Sequence, residues 1–300
     1  MKARSVLPLV FLLNACVPAS QPDVATRAQF AERATVPVAP VRSNNDLAID
    51  FVELSFQLES GRKLPVLTRF EEPISVRVTG APPPTLGSDL KRLISRLRSE
   101  ARIDISYSTR SDANITIEAV SRADIRRVLP QAACFVAPNV SSLSEYRSAR
   151  RKPLTNWTTL TEREKIAIFL PNDASPQEVR DCLHEELAQA IGPLNDLYRL
   201  PDSVFNDDNV HTVLTGFDML ILRTYYDPAL RSGMTRGQVV AALPAILART
   251  NPAGNTRKAR FATRTPRGWS KAIQTALGRS ISYSGRTGAA SEAIRIATAM

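Results

Sequence analysis

Residues 175–196, SPQEVRDCLHEELAQAIGPLND, carry a group of oxygen-bearing side chains close together: Glu185, Glu186, Gln189, Asn195 and Asp196. At roughly 100° per residue of helix, Glu185, Glu186 and Gln189 share one arc about 100° wide. Glu186 lies almost in line with Val179, at the edge of an apolar stripe made by Val179, Leu183, Leu187 and Ala190. A carboxylate faces a core only when it is paired, protonated or bound to a metal. Three groups could meet that need: a cation, a buried arginine such as Arg223 from a later helix, or hydrogen bonds from Gln189 and Asn195. Glu185, Gln189, Asn195 and Asp196 are candidates for a binding surface or a polar network around Glu186. Carboxylate and amide oxygens suit Ca²⁺, Mg²⁺ or Mn²⁺ better than Zn²⁺. A divalent cation of that class is possible here, although no metal or other cofactor is expected. Other chemistries find no support. There are two histidines, no G-x-S-x-G and no phosphate-cradling glycine loop. His211 is expected to be structural or exposed.

The elements that must position these groups can be read from local pattern. Ser175 and Glu178 make a capping box with Pro176 in the first helical turn, and Gly192-Pro193 should end the helix on a left-handed glycine cap. Alternation predicts strands at 74–78, 103–107, 115–120 and 165–170, with a further short strand at 134–136. A basic amphipathic helix is expected over 86–102, a short one within 121–132 and a core helix over 215–226. Another begins near Met234 and is interrupted or kinked by Pro244. Residues 141–155 read as a mobile loop. Asp202, Asn206, Asp207, Asp208 and Asn209 form an acidic loop that is either turn chemistry or a further source of oxygens for the cluster. Lys271–Leu277 and Ser291–Thr298 suggest two small helices.

Glu185-Glu186-Leu187-Ala188-Gln189-Ala190-Ile191-Gly192-Pro193-Leu194-Asn195 resembles H-E-x-x-H-x-x-G-x-x-H, the zinc signature of metzincin metalloproteases. The general-base glutamate falls on Glu186 and the turn glycine on Gly192. The histidine positions hold Glu185, Gln189 and Asn195, which the resemblance makes the candidate ligands of any divalent cation. Ser203–Asp207 stands where metzincins make their methionine turn, and Leu214–Tyr226 resembles their closing helix. With LTRFEEPISVRVTG, the C-x-x-E-E-x-x-Q-x-x-G-x-x-N-D core, S-V-F-N-D-D and Y-Y-D-P-A-L-R-S-G-M, residues 45–245 look like an exported bacterial family, domain of unknown function 2927. The resemblance implies an α/β (α+β) fold, a zincin-like mixed sheet backed by helices, followed by a small helical basic C-terminal extension. Loss of the imidazoles implies a non-catalytic binding or structural module. The alternatives are a metal-dependent, peptidase-like hydrolase with Glu186 as base and oxygen ligands, or a cluster that only satisfies buried donors.

The whole chain narrows the setting. A length of 300 residues with 43% hydrophobic content allows one large domain with appendages. Lys2 and Arg4 precede an apolar run from Val6 to Leu13, too short to span a bilayer but suited to a signal peptide. Leu13-Asn14-Ala15-Cys16 resembles a lipobox, which would leave Cys16 lipidated; ordinary signal cleavage further on is the alternative. The expected organisation is a signal segment at 1–16, a Pro/Ala-rich tether at 17–46, a zincin-like domain at 47–250 and a basic extension at 251–300. The expected location is the periplasmic side of a membrane, or the periplasm or exterior if the lipobox is unused. Cys134 and Cys182 then remain, either as a disulfide or as two buried thiols. Net charge is +10, and residues 251–300 hold nine Lys or Arg against Glu292 alone. Such a tail favours an anionic envelope surface or an envelope protein, and nucleic acid is not expected as a partner. A merely solubilising charge run explains it equally well.

Overall fold

Alternating and wholly apolar runs build the sheet. The computed structural model describes residues 42–206 and 211–257. Its strands are β1 (Ile74–Gly80), β2 (Ile105–Tyr107), β3 (Ile115–Val120), β4 (Phe135–Pro138) and β5 (Ile166–Pro171). They lie in the order β2-β1-β3-β5-β4, and only β4 runs antiparallel to its neighbour. Every residue of β5 is buried, as a strand covered on both faces must be. Ile166, Ile168 and Leu170 enter the main core, whereas Ala167 and Phe169 enter a smaller core on the opposite face.

Seven helices cover the described part of the sheet: α1 (Asn44–Ser55), α2 (Leu86–Ser99), α3 (Arg122–Val128), α4 (Leu143–Ala149), α5 (Pro176–Ile191), α6 (Gly216–Tyr225) and α7 (Arg236–Thr250). The main core takes apolar residues from α1, α2, α5, α6 and α7; the smaller one takes them from α3 and α4. The expected α/β class, a mixed sheet backed by helices, is the observed one. None of these helices is long and apolar enough to cross a membrane.

Several local readings are corrected. Residues 141–155 are not a loop. Ser142 Oγ accepts from the Glu145 amide at 3.1 Å to start α4, whose Leu143 and Ala149 are buried. Helix α1 begins at Asn44, inside the expected tether, because Ser43 Oγ accepts from the Asp46 amide at 3.1 Å. Helix α7 runs through Pro244 without interruption. Pro244 and Val240 both face solvent, where water can meet the Val240 carbonyl that the proline cannot bond. Gly80 ends β1 as expected: its φ is 77°, and a Cβ there would stand 2.2 Å from the Ala119 carbonyl oxygen. The signal segment, Cys16, most of the tether, Asp207, Asp208, Asn209 and the two C-terminal helices lie outside the described residues.

Candidate functional site

Helix α5 is held at both ends. Ser175 Oγ accepts from the Glu178 amide at 3.2 Å. At the other end Gly192 is not in the left-handed region; its φ is −145°. Space explains the glycine instead, since a Cβ would lie 2.6 Å from the Leu222 side chain. Arg163 caps this end. Its Nη1 donates to the carbonyls of Gln189 (2.7 Å) and Ala190 (2.9 Å), and its Nη2 donates to Gly192 (2.6 Å). Nε donates to Thr68 Oγ1 at 3.2 Å, and the guanidinium lies 5.3 Å from the Trp157 ring. Only 2% of Arg163 is exposed. Burial lowers its pKa from the usual arginine value, and the helix C-terminus favours the cation.

The acidic groups meet on the buried face of α5. One carboxylate oxygen each from Glu59, Glu185 and Asp196 lie within 4.8 Å of one another. Gln189 Nε2 donates to Glu59 Oε1 at 3.0 Å and makes a longer contact with Glu185 Oε1 at 3.5 Å. Glu186 is 5% exposed, and its Oε2 is buried with no hydrogen-bond partner among the described residues. Burial pushes the Glu186 carboxyl well above the ordinary range, and the charge of Glu59 adds to the rise. A cleft of about 280 Å³ opens beside these groups. Its walls include Glu59, Glu185, Glu186, Trp157 and Leu194, with the consecutive residues 134–138 along β4. Among the described residues, β4 pairs with β5 alone, so the side of the strand facing away from β5 carries no ladder.

A disulfide joins Cys134 to Cys182, with Cα atoms 6.0 Å apart. It fastens the residue preceding β4 to α5, and so ties together two walls of the cleft.

Residues 44–245 match the family described as protein of unknown function (DUF2927). The chain belongs to this family. Neither the curated proteins nor the solved structures compared with it gave a match. In this DUF2927 domain, the residues singled out from sequence divide into those that meet and those that do not. Glu185, Gln189 and Asp196 come together. Asn195 turns away: its Nδ2 donates to the Glu53 carbonyl at 3.0 Å, and its amide to the Leu54 carbonyl at 3.3 Å. It closes the C-terminal end of α1 and so fixes the turn that carries Glu59. Arg223 does not answer Glu186. It is half-buried on α6, where burial and Arg102 lower its pKa. Asp202 pairs with Arg42, and Asn206 Nδ2 donates to the Leu200 carbonyl at 2.8 Å. Neither enters the cluster.

Both histidines serve the fold. Burial, with Arg96, Arg180 and Arg92 nearby, lowers the His184 pKa to about 3. The neutral ring accepts from the Leu214 amide through Nδ1 at 3.2 Å. His211 Nε2 lies 2.6 Å from the Pro201 carbonyl oxygen.

The donors present do not fit the zinc centre that the metzincin signature implies. Where three imidazoles would converge, one carboxylate faces an amide whose N–H points at it, and Asn195 is elsewhere. No reaction step through zinc follows from this arrangement. Glu59 and Arg163 escaped the sequence reading. Glu59 stands in a turn with Gly61 at φ 79°, and that glycine was the only local hint of a bend there.

Proposed function

We propose that the chain is an exported, lipid-anchored envelope protein whose zincin-like domain binds an extended segment of a partner without cleaving it. The observation that carries the reading is the cleft along β4. All four residues of this edge strand, with Cys134 before it, line the cleft, and such an edge offers backbone groups to an incoming strand. The carboxylates Glu59, Glu185 and Glu186, the arginines Arg62 and Arg150, and apolar residues from β4 supply selectivity, favouring a segment with charged side chains of both signs among apolar ones. Gln189 and Asn195 are committed to Glu59 and to the Glu53 carbonyl, which argues against a catalytic metal at the signature positions. The disulfide is compatible with an oxidising compartment, and the lipobox-like Leu13–Cys16 gives the anchor.

The alternative is a metal-dependent hydrolase with Glu186 as base. The Glu59–Glu185–Asp196 cluster favours it, but burial of Glu186 opposes it, because a protonated carboxyl cannot take a proton from water. An array of extended peptides, probed with the purified full-length protein, tests the choice. Capture of intact peptides, weakened at least about tenfold by Val136→Asp at the cleft wall, is expected. Cleaved peptides, with cleavage lost on chelation and in Glu186→Gln, would establish the hydrolase instead.

A further inference from the structure

We infer that the cleft holds a site for a calcium-sized divalent cation, formed by Glu59, Glu185 and Asp196 with Glu186 behind them. This goes beyond the peptide-binding reading and does not depend on it. The ligand set also differs from the one the signature suggests: only Glu185 belongs to both.

Distance supplies the first argument. Oxygens bound to one Ca²⁺ at 2.3–2.6 Å can stand at most about 5 Å apart. The three carboxylate oxygens lie within 4.8 Å of one another, so side-chain shifts of about 0.2 Å let one such ion reach all of them with the backbone at rest. For Mg²⁺, with ligands near 2.1 Å, the corresponding limit is about 4.2 Å and an octahedral shell is required. Calcium's tolerance of irregular oxygen shells makes it the better match to three carboxylates drawn from a helix and two turns.

Glu186 supplies the second, independent argument. Its side chain is almost wholly buried and lines the same cleft as Glu59 and Glu185. Its Oε2 has no hydrogen-bond partner. Among the described residues no arginine, amide or backbone N–H answers this oxygen, although a buried polar atom normally finds a partner. A cation among the neighbouring carboxylates offsets both the lost hydration of Glu186 and its repulsion from Glu59.

Placement is the third argument. Glu185 lies on α5, Asp196 in the turn beyond it, and Glu59 in the turn beyond α1. Those segments are already fixed to one another by the Asn195 bond to Glu53, and the end of α5 is fixed by Arg163. Three carboxylates leave several of the six to eight calcium positions to water, which places the affinity on the order of 10⁻⁴ M.

The test uses full-length protein stripped with a chelator and titrated with CaCl₂, MgCl₂ or ZnCl₂, read by heat and by melting temperature. One calcium per chain is expected, bound more tightly than magnesium and raising the melting temperature. Glu59→Gln lies at the surface and should fold as the parent does; it should weaken calcium binding about tenfold or more. Asp196→Asn should do the same, with circular dichroism confirming its fold. Silence up to about 10 mM calcium overturns the site, because weaker binding falls outside the usual range. Equal affinity in both variants overturns the ligand assignment, and zinc binding with calcium silent overturns the ion class. A peptide array that fails leaves this titration unaffected.

Discussion

Asp218, at the start of α6, shows what burial does to an acid even when its hydrogen bonds are made. Ser203 Oγ (2.6 Å), the Thr215 amide (2.7 Å) and the Val204 amide (3.2 Å) all donate to its carboxylate, pinning the loop that follows Asp196 to α6. Burial still raises its pKa to about 6, against 3.8 for an ordinary Asp, and the three bonds only limit the rise. A raised acid keeps its proton longer in the folded state. Its stabilising contribution is therefore complete below about pH 4 and is lost as pH rises through about 6, amounting to roughly 3 kcal/mol. Urea unfolding across that window should show Asp218→Asn losing less stability with rising pH than the parent, by about that amount; parallel curves would refute the assignment. The difficulty at Glu186 was legible from the helical wheel, because a carboxylate on an apolar stripe is visible in one dimension. The absence, among the described residues, of a group to resolve it was not. Arg163 was equally hidden. It sits in T-E-R-E-K, which reads as solvated charge, and backbone carbonyls, its partners, carry no sequence signature.

Elements declared themselves where their own residues decide them. Alternation in 74–78 and 115–120 and the capped start of α5 needed no tertiary context. Helix α4 was missed although Ser142 is an ordinary cap, because its seven residues hold few periodic apolar positions. Helix α1 was missed because it opens in polar Asn44-Asn45-Asp46 beside the Pro/Ala-rich stretch, although Leu47, Phe51 and Leu54 recur at helical spacing. The Cys134–Cys182 bond stood as one of two alternatives in the sequence, and only spatial proximity decides it. It closes a loop with a sequence separation of 48, worth about 4 kcal/mol on the chain-entropy account. Replacing both cysteines by serine should lower the unfolding free energy by about 2–4 kcal/mol in urea, and the unreduced, unfolded parent should yield neither of these two thiols to titration. Two reactive thiols would rule the bond out.

For the whole molecule, class was readable and topology was not. Nothing in the four residues of β4 announces an antiparallel edge strand, because direction and neighbour are set by how distant segments pack. Charge has the same long reach. Removing residues 251–300 takes nine of the 39 Lys and Arg and one of the 29 acids, leaving a chain of much lower net charge. If that tail meets anionic envelope lipid, full-length protein should bind anionic vesicles in low salt, release them as salt rises, and lose them when residues 258–300 are deleted. Salt-insensitive or absent binding would leave the tail a solvated run. The cross-link between the cleft walls has a mechanical consequence. A strand seated on β4 and pulled by its parent protein would strain a short ladder of four register pairs with β5. Hydrogen bonds alone would let β4 peel from the sheet edge. The Cys134–Cys182 bond passes the tension into α5 instead, whose end is gripped by Arg163. On the proposed reading, a strand bound there would be held under force with the cleft in place, and reducing that single bond should turn a firm grip into one that yields.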